Sequence, residues 1–109
     1  MNEDKLLNAF SKAIETEFDV YNITILKNNI KLMGNDITQT DHERYLSLTQ
    51  TAVFRHPENS RFVSRIYSGN DVYIIILDSK HRKSFDGLET RYIIAEMKKL
   101  AKRLGEIIK

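Results

Sequence analysis

The chain contains no cysteine and no tryptophan, and its 109 residues include only one proline and four glycines. Without cysteine there is no disulfide framework, no thiolate nucleophile and no cysteine-based zinc site, and a reducing compartment, the cytoplasm, is the expected setting. The scarce glycines never gather into the phosphate-cradling patterns of nucleotide-binding loops, so no nucleotide cofactor is expected, nor one of another kind. No apolar run approaches the roughly 18 residues that cross a bilayer, and the opening Met-Asn-Glu-Asp-Lys is too polar for the core of a signal peptide. The expectation is a cytoplasmic protein that makes no use of a membrane. Repeats and linker-like stretches are also missing, so residues 1–109 read as a single domain. Its 41% hydrophobic and 29% charged residues are enough for one modest core.

What the sequence does hold is an organising stretch, Val72–Leu77, in which six apolar residues rich in β-branching follow one another without a break. Bounded by Gly69-Asn70-Asp71 and Asp78-Ser79, it fits a strand covered on both faces and therefore central in a sheet. From about Asp86 to Ile108, Leu88, Tyr92, Ile93, Met97, Leu100, Leu104 and Ile107 recur at helical spacing, and a closing helix should lie across that sheet.

Earlier in the chain, Asn2 or Asp4 can cap a first helix whose apolar stripe runs from Leu6 to Phe18. Val20–Leu26 alternates, with Tyr21, Ile23 and Ile25 on one face, and Asn28-Asn29 suits the tight turn into a second strand at Ile30–Met33. Thr40 and Glu43 have the spacing of a capping box, which predicts a second helix from about Asp41 to Phe54. The same residues also alternate as a strand would, and on that reading Thr49–His56 is an additional strand. Arg61–Tyr67 then forms a hairpin with the central strand. The fold class is α+β: an antiparallel sheet with helices packed on it, in the order helix, strand, strand, helix, strand, strand and, on the second reading, one more strand before the last helix.

Charge is uneven although the net is only +2. Residues 1–54 carry five basic against eight acidic side chains, a balance of −3, and residues 55–109 carry twelve against seven, or +5. The basic excess falls in the loop Lys80, Arg82 and Lys83 and on the helix row Lys98, Lys99, Lys102 and Arg103. These form a candidate patch for anions or nucleic acid. Catalytic patterns are weaker still. His42, His56 and His81 lie far apart in sequence, no base accompanies Ser79 or Ser84, and the Glu96-Met97-Lys98 spacing of metal nucleases falls on a helix where those enzymes need a strand. An enzyme is not expected.

The element order, the run Gly69–Leu77 and the later Phe85-Asp86-Gly87-Leu88 that opens the last helix together resemble the roadblock/dynein light chain family. That resemblance implies a homodimer or heterodimer, joined through the central helices and neighbouring edge strands, that regulates or scaffolds a protein partner such as a small Ras-like GTPase. Carried onto this chain, the implied dimer interface comprises Tyr45, Leu48, Thr49 and Ala52 with Phe62, Ser64 and Ile66. Family members place three strands between the second and last helices, which only the additional strand at Thr49–His56 would supply. Independently, Arg61–Tyr67 carries apolar side chains on both faces and reads as an edge open to pairing with another chain. A small nucleic-acid-binding or phage-type regulatory protein is the alternative function, and a dimeric secretion-chaperone-like protein a third.

Overall fold

Val72–Leu77 lies inside β5 (Asp71–Ser79), the middle strand of a five-stranded antiparallel sheet, with the side chains of Tyr73–Leu77 buried. The computed structural model describes residues 2–49 and 51–107. In chain order the elements are α1 (Glu3–Glu17), β1 (Val20–Lys27), β2 (Ile30–Met33), α2 (Gln39–Leu46), β3 (Thr51–Arg55), β4 (Ser60–Ser68), β5 and α3 (Leu88–Gly105). The strands lie side by side as β2-β1-β5-β4-β3. This is the expected α+β class, with three strands rather than two between α2 and α3.

The sheet separates two cores. Ile75, Leu77, Phe62 and Ile66 point to one side, where they meet Leu6, Phe10 and Ile14 of α1 and Ile93, Met97 and Leu100 of α3. On the other side Ile74, Ile76, Val63 and Leu26 form a smaller cluster under α2, closed by Tyr45. The strict two-residue period of β4 and β5 feeds both. Burying the larger cluster supplies most of the hydrophobic stabilisation, at about 25 cal/mol per Å² of apolar surface removed from water.

Turn chemistry fixes the registers. Asn28 and Asn29 both take positive φ, as the two-residue hairpin between β1 and β2 requires. Asn28 also accepts a hydrogen bond from Val72 N–H (2.9 Å) and donates one to Asp71 (2.8 Å), which ties this hairpin to the next. Gly69, with φ +62°, turns β4 into β5, and Ser68 faces Asp71 across the turn.

Several sequence expectations need correction. The second helix does not reach Phe54: it stops at Leu46, and Thr51–Arg55 is the additional strand. Its cap is Thr38, whose hydroxyl accepts from Asp41 N–H (3.1 Å), rather than Thr40. Strand β4 is not an edge over Ser60–Ser64, where β3 pairs with its outer side. A bulge between Val20 and Asn22 turns Val20 into the core and leaves Tyr21 exposed, so Tyr21 does not share the face of Ile23 and Ile25. In α3 the buried stripe begins at Ile93. Leu88 is 80% exposed and Tyr92 44%, the Tyr92 ring lying 5.7 Å from that of Phe18. The helix ends at Gly105, and Ile108 lies outside the described residues.

Two buried side-chain atoms lack a hydrogen-bond partner among the described residues, Arg65 Nε and the Tyr73 hydroxyl. For the hydroxyl, burial, with Asp71 and Glu3 adding to it, pushes the pKa above the ordinary value. The neutral phenol is thus favoured by folding. Its contribution to stability is complete below the unfolded pKa of about 10 and is lost as pH rises through the higher folded value. Tyr73→Phe should raise stability by about 1 kcal/mol at pH 7. In urea melts it should also flatten the decline that the parent shows above about pH 10.

Candidate interaction surface

The polar centre of the molecule is Arg61 on β4. Counting outward from the Ser68–Asp71 turn places it opposite Asp78 of β5, and its Nε and Nη2 donate to the two oxygens of that carboxylate at 2.6 and 3.2 Å. Nη1 donates to the Tyr45 hydroxyl (3.1 Å) and to Asp41 (3.4 Å), both on α2. Asn22 of β1 donates to Asp78 from the other side (3.2 Å). Burial opposes the Arg61 charge, but the hydrogen bonds to Asp78 and Tyr45, with the Asp78 charge, more than offset it and hold its pKa above the ordinary value. A forked guanidinium gripping a nearly buried carboxylate is a strong joint. Its partners lie within the chain, and the joint positions α2 on the sheet. A second arginine, Arg65, donates to the Leu46 and Leu48 carbonyls at 2.6 and 3.3 Å and clamps the end of the same helix.

This anchoring decides where the residues of the implied dimer interface fall. Tyr45 is buried under α2, its ring 5.5 Å from that of Phe54. Phe62, Ser64 and Ile66 are buried on the α1/α3 side of β4, with Phe62 against Phe85 at 5.4 Å. Those four serve the core of their own chain, since β4 is an interior strand whose inward side chains lie beneath α3. Leu48 and Ala52 are half-buried, Leu48 against the smaller core, and Thr49 is exposed.

The feature that sequence reading passed over is the open edge of β3; the strand itself is its alternative reading at Thr49–His56. Thr51, Ala52, Val53 and Phe54 are each half-buried, and the strand is the last of the sheet. The two edges are not alike. At the other end, β2 has four residues, a register irregularity beside Ile25 and an ion pair between Lys31 and Asp36 (2.6 Å), devices that discourage pairing with another chain. Strand β3 has a regular register against β4, no proline, and one charged residue, Arg55, at its end. The guanidinium of Arg55 is turned back to the Arg82 and Ser84 carbonyls.

The basic side chains do not form one patch. Lys80, Arg82 and Lys83 are exposed in the loop after β5, beside the start of β4, where Lys80 lies 5.7 Å from the Tyr21 ring. Lys102 lies at the far end of β4, next to Tyr67 and Ser68, roughly 25 Å away at the rise of a strand. The helix row is divided as well. Lys98 and Lys102 face the β4 side, whereas Lys99 and Arg103 lean toward α1 and Lys99 is paired with Glu96 at 3.3 Å. Of the histidines, His42 meets Asn29, His81 meets Asp19, and His56 lies in a cleft between α2 and β3. Among the described residues no helix is long and apolar enough to cross a membrane.

No protein-family model matches the sequence, and no curated protein matches it significantly.

Proposed function

We propose that the chain is a non-enzymatic interaction module that forms a symmetric homodimer through β3 and, as a dimer, regulates or scaffolds a protein partner. The observation that carries this reading is the unguarded edge of β3. Antiparallel pairing of two β3 strands about a twofold axis would give each backbone donor and acceptor a partner and join two five-stranded sheets into one. Leu48, Thr49 and Ala52 would flank the axis. The self-satisfied Arg61 network supports a structural rather than a catalytic role for the charged residues. The wide separation of the two basic segments weakens the alternative of a nucleic-acid-binding protein. A small Ras-like GTPase as the partner rests on the roadblock resemblance, and its copurification with the tagged chain would support that part.

The ladder gives a selective test of the dimer. His56 N–H bonds to the Asn59 carbonyl, so by alternation Ala52 and Phe54 spend their backbone groups on β4, while Thr51, Val53 and Arg55 turn theirs outward. Val53→Pro removes an outward donor and leaves the inner ladder whole. Light scattering after size exclusion should give a dimer for the parent. For the variant the dissociation constant should rise by about tenfold or more, since two symmetry-related hydrogen bonds of about 1 kcal/mol each are lost. A parent chain that stays monomeric at millimolar concentration rules the dimer out.

A further inference from the structure

Strand β4 outruns β3. Among the described residues their ladder runs to Thr51 opposite Ser64, whereas β4 continues against β5 as far as Ser68 opposite Asp71. The tight turn makes Ser68 and Asp71 a hydrogen-bonded pair, so Ser64, Ile66 and Ser68 direct their backbone groups to β5, and Tyr67 directs its own to the opposite side, where no described strand pairs with it. A groove of about 700 Å³ follows this overhang. Its floor is Ile66 and the half-buried Ile94, and Lys98 and Lys102 stand on its rim. No aspartate or glutamate lines it among the described residues, and neither rim lysine has a carboxylate partner there.

We propose that this overhang takes an extended acidic peptide from a partner protein as an added strand. The peptide backbone pairs with Tyr67. On its groove-facing side, alternate residues place an apolar side chain on Ile66 and Ile94 and carboxylates beside Lys98 and Lys102. Main-chain pairing supplies affinity, and the unpaired lysines supply the preference for acid. Thr49 and Thr51 also line the groove, so it adjoins the start of β3, but its rim lysines belong to α3 and lie outside the proposed dimer contact.

The test uses a fluorescein-labelled Thr-Val-Thr-Glu-Thr-Glu peptide, the same peptide with lysine in place of glutamate, and one with alternate amides N-methylated. The full chain should bind the glutamate peptide and shift the amide resonances of Arg65–Ser68. Binding should weaken at least about tenfold for the lysine peptide, for the N-methylated peptide and for Lys98→Glu with Lys102→Glu, while Lys99→Glu changes it little. It should also weaken with added salt. Light scattering on the same samples separates the two proposals, because the double variant should leave the oligomeric state unchanged. The inference is overturned by an absence of binding at millimolar peptide, by equal binding after N-methylation, or by shifts confined to Thr51–Arg55. A labelled oligonucleotide that binds where the peptide does not, and is released by the same double variant, overturns it in favour of nucleic acid.

Discussion

Arg61→Met is expected to lower folding stability by about 3 kcal/mol, which for a domain of this size moves the thermal midpoint down by roughly 10–15 °C. The loss does not come from the ion pair's own attraction, much of which is spent on desolvating two charges. It comes from what is left behind. The Asp78 side chain is 8% exposed, and without the guanidinium its only remaining side-chain donor among the described residues is Asn22. The Tyr45 hydroxyl and Asp41 lose the same partner at the same time. Helix α2 has eight residues, too few to hold together without tertiary contacts, so its amides should exchange faster before the sheet opens. The double variant Arg61→Met with Asp78→Leu removes both charges and should recover at least half of the loss in urea melts. A double variant no more stable than Arg61→Met alone would show that the buried carboxylate is not the source of the cost.

The same residue shows how far the sequence could be read. The hairpin turn at Gly69-Asn70 was legible, and once Ser68 is set opposite Asp71, counting seven residues outward on each strand brings Arg61 to Asp78. The pairing was therefore present in the sequence, reachable by register although not by any motif. The apolar run of β5, the stripe of α1, the asparagine turn and the buried part of α3 were also legible, because each has a strong period or a distinctive turn chemistry. What failed was the segment from Thr38 to Arg55. Helix α2 buries only Tyr45 fully, so its stripe is too thin to mark where the helix stops. Strand β3 is half-buried on both faces, so its alternation is faint. Two weak patterns in succession read, on the preferred reading, as one longer helix, with the strand at Thr49–His56 only as the alternative, and without that strand β4 reads as an edge. The open side of β3 follows from strand order, which depends on which strands pair across the whole sheet and has no local signature.

Gly34→Ala should be the most damaging of the glycine substitutions, with a cost of about 3 kcal/mol or more, because it meets two penalties at once. Gly34 ends β2 with φ +95°, a backbone region that side chains rarely enter. A Cβ there would lie 2.3 Å from the Ile23 carbonyl oxygen and 2.5 Å from the Thr24 Cα. Both are backbone atoms of β1, which is held on its other side by β5, so neither can move aside without disturbing the ladder. The chain must instead lift β2 away, which exposes the edge of β1 to pairing with other molecules. Gly69 is the internal control. Its φ of +62° carries a comparable conformational cost, but a Cβ there meets nothing within 4 Å, so Gly69→Ala should lose only about 1 kcal/mol. Thermal melts of the two variants, with turbidity followed alongside, separate steric exclusion from backbone preference. A large gap, with aggregation only for Gly34→Ala, is expected if close approach to β1 dominates, and equal losses would assign the whole effect to φ.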